Sequence, residues 1–180
     1  GSVSGTLTID TTPPSVTVDP AGDGDLTGTA EPGSTVSIDT DGDGTADYTL
    51  EADVDGRWSV TPDAPLADGT DVSVTATDEA GNTSDPVTIT VDTVAPNAPT
   101  LALANDTGTD GDGVTIDGTV TVAGLEPGAT WSYSTDGGAT WNEGAGNGFE
   151  LPAGEYAEGE VLARQTDESG NTSDEGSLIG

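Results

Sequence analysis

Acidic residues outnumber basic ones 34 to 2, giving a formal charge of −32 over 180 residues, and they gather in Asp-Gly runs. Between those runs lie short alternating stretches such as Ser15-Val16-Thr17-Val18 and Asp71-Val72-Ser73-Val74-Thr75-Ala76. Alternation of this kind is the mark of half-buried strands, and the acidic glycine-rich segments mark the turns. Self-repulsion at this charge works against compaction unless positive charge is supplied. With no lysine or histidine to supply it, a divalent cation is the natural partner for the acidic turns.

An apolar fraction of 31% with high charge is also the signature of disorder, but the strand periodicity argues against that reading. No window supports a helix of ordinary length, because glycine and β-branched residues interrupt each one. Cysteine is absent, so disulfides are not the staples of this fold, and that absence does not place the chain in the cytosol. The apolar runs are too short for a membrane span. Two isolated cations, Arg57 and Arg164, leave no basic footprint for nucleic acid and are expected to sit in local ion pairs. Without His or Cys, and without a recognisable nucleophile or zinc motif, the chain reads as a non-enzyme.

Three landmarks occur twice in the same order, roughly 80 to 95 residues apart. Asp10-Thr11-Thr12-Pro13 is echoed by Asp92-Thr93-Val94-Ala95-Pro96, and Glu31-Pro32-Gly33 by Glu126-Pro127-Gly128. Asp78-Glu79-Ala80-Gly81-Asn82-Thr83-Ser84 is echoed by Asp167-Glu168-Ser169-Gly170-Asn171-Thr172-Ser173. The expected architecture is all-β: two tandem seven-stranded β-sandwiches, residues 10–92 and 93–180, arranged end to end. Residues 1–9 read as the tail strand of a preceding repeat or an appended remnant, since Leu7-Thr8-Ile9-Asp10 mirrors Ile89-Thr90-Val91-Asp92. The chain therefore reads as a cut from a longer array.

Strands are expected near 15–18, 26–30, 35–39, 46–50, 57–60, 70–77 and 87–91 in the first repeat. In the second they are expected near 100–104, 114–120, 130–134, 149–151, 155–157, 161–166 and 176–179. Trp58, Trp131 and Trp141 read as core or core-edge residues. Calcium needs six to eight hard oxygens, and glycine lets the backbone turn back around the ion. Asp39-Thr40-Asp41-Gly42-Asp43-Gly44 has the spacing of an EF-hand loop, with Asp47 at its ninth position. The pattern then departs, with Leu50 at the twelfth position and Glu51 one place late, and no helix flanks it. Strand alternation between the two poles of a sandwich brings further acids together at the connector. It places Asp23, Asp25, Asp68 and Asp92 near Glu126, Asp167 and Asn171, and equally Asp10 beside Glu31, Asp78 and Asn82. An ion at each point would offset the repulsion and fix the angle between repeats.

Those landmarks, with Leu26-Thr27-Gly28-Thr29-Ala30-Glu31-Pro32-Gly33 and Trp131-Ser132-Tyr133-Ser134-Thr135-Asp136-Gly137-Gly138, resemble the tandem bacterial Ig-like repeats of large, secreted, RTX-type calcium-dependent adhesins. The resemblance implies a secreted extender at the bacterial cell surface, stiffened by calcium and flanked by repeats of the same chain. It further implies a monomer with no direct insertion into the membrane, and extreme acidity suits a salt-tolerant host. The alternative is an adhesive module that itself binds glycan, protein or a surface, with Trp141, Phe149 or Tyr156 at one end or face.

Overall fold

The computed structural model describes residues 7–22, 24–109 and 114–178. The chain forms two compact units, Gly1–Thr93 and Val94–Gly180. Each is all-β, with no helix among the described residues.

Unit 1 contains β1 (Leu26–Thr29), β2 (Thr35–Asp39), β3 (Tyr48–Glu51), β4 (Arg57–Val60), β5 (Asp71–Thr77) and β6 (Val87–Thr90). One sheet runs β3-β2-β5-β6, fully antiparallel, and β1 pairs with β4 in the facing layer. The stretch expected at 15–18 adds a row beside β1: Val16 bridges Ala30, and Thr17 N–H donates to the Thr29 carbonyl at 2.7 Å. Alternation decides which side chains enter the core. Val36, Ile38, Val72, Val74 and Ala76 are all fully buried, and their registers align Val36 with Ala76 and Ile38 with Val74. Leu26, Trp58 and Val91 close the same cluster, and Val16, Val18, Tyr48, Leu50, Val60 and Ile89 pack on it. These are the residues whose alternation marks them as inward-facing.

Unit 2 contains β7 (Thr100–Leu103), β8 (Thr119–Ala123), β9 (Thr130–Ser134), β10 (Asn142–Glu143), β11 (Gly148–Glu150), β12 (Leu162–Thr166) and β13 (Gly176–Ser177). Its sheets run β11-β8-β7 and β10-β9-β12-β13, and a parallel bridge between Leu101 and Leu178 ties one to the other. An aromatic group spans the two layers: Phe149 of β11 stacks on Tyr133 of β9 at 4.1 Å, and the Trp131 ring lies 6.2 Å from Phe149.

Unit 2 departs from the expected strands at two places. Val114 and Ile116 alternate like a strand but are exposed, and the strand begins only at Thr119. Asp117 accepts both the N–H (3.0 Å) and the hydroxyl (2.6 Å) of Thr119, so side chains and not a ladder organise this approach. Residues 155–157 form no strand. The Tyr156 hydroxyl donates to the Pro152 carbonyl and Ala157 N–H to Glu160 Oε2, both at 2.9 Å, which holds a loop. The short β10, with no apolar pattern to announce it, pairs by backbone alone with β9.

In the segment before unit 1's first paired residues, Leu7 and Ile9 are 85% and 81% exposed. Thr93 falls with unit 1, one residue beyond the boundary read from the repeat.

Candidate metal centre

The loop between β2 and β3 is built around the side chain of Asp39. Its Oδ1 accepts the N–H groups of Asp41 (3.2 Å) and Gly42 (2.7 Å), and its Oδ2 accepts that of Gly44 (2.9 Å). The pattern repeats down the loop: Asp41 Oδ1 accepts Asp43 N–H at 3.1 Å, and Asp43 Oδ1 accepts Thr45 N–H at 2.7 Å. Gly42 and Gly44 have φ of 73° and 84°, a left-handed conformation that glycine takes without steric cost. The result draws one carboxylate oxygen from each of Asp39, Asp41 and Asp43 within 4.8 Å of the others. Asp39 is half-buried and the other two are exposed.

Asp47 stands outside this group of three. Its Oδ2 accepts the hydroxyl (2.7 Å) and the N–H (2.8 Å) of Thr40, which latches the base of the loop. The Thr40 hydroxyl, then the Thr40 N–H, holds the Asp47 carboxyl below the usual range. Glu51 is paired with Thr35 at the far end of the hairpin, about 10 Å along β3 from Tyr48 at strand rise. It cannot serve as a late twelfth ligand.

The expected set ahead of unit 1 is brought together in part. Asn82 Nδ2 donates to Asp78 Oδ2 (2.8 Å) and to the Asp10 carbonyl (3.2 Å), while Asn82 N–H meets Asp78 Oδ1 at 2.8 Å. The Asn82 side chain is the leading cause of a lowered Asp78 pKa. Glu31 lies in the turn after β1, where its N–H donates to the Ser15 carbonyl and its carbonyl accepts Ser34 N–H.

The residues expected at the connector are distributed over both units. In unit 1, Asp25 Oδ1 accepts the Thr61 hydroxyl at 2.6 Å and Asp68 Oδ1 accepts Thr93 N–H at 3.0 Å. Asp92 N–H donates to the Ala21 carbonyl. Asp23 lies outside the described residues. In unit 2, Asp167 and Asn171 repeat the Asp78–Asn82 turn, with Asn171 N–H at 2.8 Å and Nδ2 at 2.9 Å from the two carboxylate oxygens. Glu126 N–H donates to Gln165 Oε1 at 2.8 Å.

The loop of unit 2 that corresponds to the acidic hairpin carries a single central acid. Asp136 accepts the hydroxyl and N–H of Thr140 and the hydroxyl of Ser134, which lowers its carboxyl to about 2, the Thr140 hydroxyl first. Trp141 is covered by Arg164, whose guanidinium lies 4.0 Å from the ring centroid. Arg57 lines a shallow groove together with Asp19 and Asp53, and its backbone N–H donates to Asp53 Oδ1 at 2.8 Å. Phe149 and Tyr156 pack against the core of unit 2.

Gln165 went unread in the sequence, although its position gives it away. It follows Val161 and Ala163 at a spacing of two on the inward face of β12, where unit 1 has Ala76, and it is fully buried.

Comparison with known proteins adds three findings. No curated protein matches the sequence. Among solved structures, the chain is similar to the BSP domain of a biofilm-associated protein (15% identity, TM-score 0.39), covering 91% of this chain and 29% of that one. It is also similar to the fibronectin(III)-like modules of Clostridium thermocellum CbhA (19% identity, TM-score 0.42), covering 92% and 93%. The chain thus spans less than a third of the biofilm-associated chain it matches, and the fold rests on the strand pairing above and not on these likenesses. Residues 11–93 match the family described as "Bacterial Ig domain", a match that lies within unit 1 and ends at its last residue. Unit 1 is thus similar to bacterial Ig-like domains.

Proposed function

We propose that the chain is a calcium-stiffened extracellular spacer of a large bacterial surface adhesin, holding a distal ligand-binding domain away from the cell. The observation that supports this most is the loop of Asp39, Asp41 and Asp43, mounted on a unit similar to bacterial Ig-like domains in a chain of charge −32. The donor set fits calcium. Three carboxylates and neighbouring carbonyls are hard oxygens on a glycine-hinged loop, and water completes a shell of six to eight. The chain contains no His or Cys, the ligands that favour zinc or copper. Calcium would offset the repulsion among carboxylates that the loop's own N–H groups already draw together.

The same chemistry is proposed for the set Asp10, Glu31, Asp78 and Asn82. It is likewise proposed for Asp23, Asp25, Asp68, Asp92, Glu126, Asp167 and Asn171, where an ion would stiffen the connector. On this reading the molecule is secreted and monomeric, and its partners are calcium and neighbouring repeats of the same chain. The adhesive alternative draws less support: Phe149 and Tyr156 pack on the core, and Arg164 covers Trp141. Calorimetric titration of calcium into the chain tests the proposal. Saturable binding that is lost in a D41N/D43N variant is expected, whereas equal heats for the two proteins would contradict it.

A further inference from the structure

In unit 1 the incoming chain is fastened to the turn after β1 by one backbone hydrogen bond, Glu31 N–H to the Ser15 carbonyl at 3.2 Å. In unit 2 the corresponding groups do not bond to each other. The side-chain amide of Gln165 is inserted between them. Its Oε1 accepts Glu126 N–H at 2.8 Å, and its Nε2 donates to the Asn97 carbonyl at 2.7 Å and the Gly124 carbonyl at 2.9 Å. The orientation of the amide is fixed by these partners, because only the oxygen can receive an N–H and only the nitrogen can serve two carbonyls. Gln165 has no exposed surface, and its backbone N–H is held by Ser173 Oγ at 3.1 Å. A buried amide is costly unless satisfied. This one has both donors and its oxygen engaged, and its three partners lie on two segments, Asn97 on one and Gly124 and Glu126 on the other.

The other end of the connector has its own fastening. Asp68 Oδ1 accepts Thr93 N–H at 3.0 Å, and Gly69 N–H and Asp92 N–H bond to the Val91 and Ala21 carbonyls. Between Thr93 and Asn97 lie Val94, Ala95 and Pro96. Proline fixes its own φ and restricts the residue before it to extended conformations, so this span has few soft torsions.

We infer that Gln165 and Asp68 are a pair of linker anchors, each fastening one end of the connector to its own unit and stiffening it without an ion. This goes beyond the calcium reading and is separable from it through Gln165, which stands in no proposed calcium set, whereas Asp68 stands in one.

The test is amide hydrogen exchange and 15N relaxation on the whole chain in EDTA. Gln165→Leu keeps the volume but removes the donors and the acceptor. Glu126 N–H should exchange at least about tenfold faster, and the heteronuclear NOE of Asn97 and Ala98 should fall while unit 1 is unchanged. Asp68→Ala should loosen Thr93 and leave Glu126 protected. A folded Gln165→Leu protein with Glu126 exchange and Asn97 NOE as in the parent overturns the inference. Should that variant not fold, unchanged Thr93 relaxation and exchange in Asp68→Ala overturns it alone. Loss of these effects in EDTA with retention in calcium would also contradict it, and would leave the spacer reading standing.

Discussion

The carboxylate of Asp39 accepts the N–H of Gly44 at 2.9 Å, so an acid at the end of β2 organises a backbone five residues further on. Two more N–H groups converge on the same carboxylate. Asp39→Ala removes all three acceptor contacts at once, and should destabilise unit 1 by about 1–2 kcal/mol and abolish calcium binding at the loop. Asp43→Ala, which loses a single N–H contact to Thr45, should weaken the ion while leaving apo stability nearly unchanged. Urea unfolding in EDTA, paired with calcium titration of each variant, separates the two effects. Equal apo stability for Asp39→Ala and the parent would show that the loop is not built on Asp39.

Gly28 and Trp58 face each other across the β1–β4 pair, where a methyl group on Gly28 would collide with the indole ring and the Thr17 carbonyl. The indole N–H donates to that same carbonyl at 3.2 Å, so the ring cannot move aside without losing its partner. Gly28→Ala should therefore cost about 1–3 kcal/mol through overpacking. The melting temperature of unit 1 should fall by roughly 5–15 °C, read from fluorescence or circular dichroism. A fall of less than about 2 °C would mean the sheet yields there freely.

Acidification should act through specific carboxylates. Asp136 is held at about 2 by Thr140 and Ser134, below the value near 3.9 of a free aspartate. Its folded pKa is lowered, so its contribution to stability is present above about pH 4 and is lost as pH falls through about 2. Asp47, Asp78 and Asp117 are shifted in the same direction by Thr40, Asn82 and Thr119. Side-chain carboxyl 13C titration should find Asp136 ionising about two units below a free aspartate. A midpoint near 4 would contradict the hydrogen bonding described here.

Much of the sandwich was legible because period-two alternation is a direct imprint of burial: Val36 and Ile38, or Val72 and Val74, can face one core only as strand neighbours. Val114 and Ile116 show where this breaks. Their alternation is as good as that of Val120 and Val122, but Thr119 and Asp117 hold each other locally and the ladder starts later. β10 was invisible because an edge strand can pair through backbone alone. Of the acidic hairpin, the Asp-x-Asp-x-Asp-Gly spacing revealed the three clustered carboxylates, since each turns the next through its N–H. It could not reveal that Asp47 latches Thr40, because which partner a carboxylate takes depends on the folded turn. Gln165 escaped because its partners, Asn97, Gly124 and Glu126, are remote in sequence.

If calcium binds the folded chain through the acidic hairpin, it must stabilise the native state, and matched thermal melts read that linkage. The chain is melted in EDTA, in millimolar calcium, and in sodium chloride at the ionic strength of the calcium sample. Ligand that binds only the native state adds about 2.7 kcal/mol at a hundredfold excess over its dissociation constant. For a unit of this size that is a rise of roughly 10–20 °C. Sodium should give much less, because it screens the −32 charge without bridging Asp39, Asp41 and Asp43. A calcium-specific rise that disappears in the D41N/D43N variant is the expected result. Coincident melts in EDTA and calcium, or a rise that sodium reproduces in full, would show that the acidic hairpin does not bind calcium as a stabilising ligand.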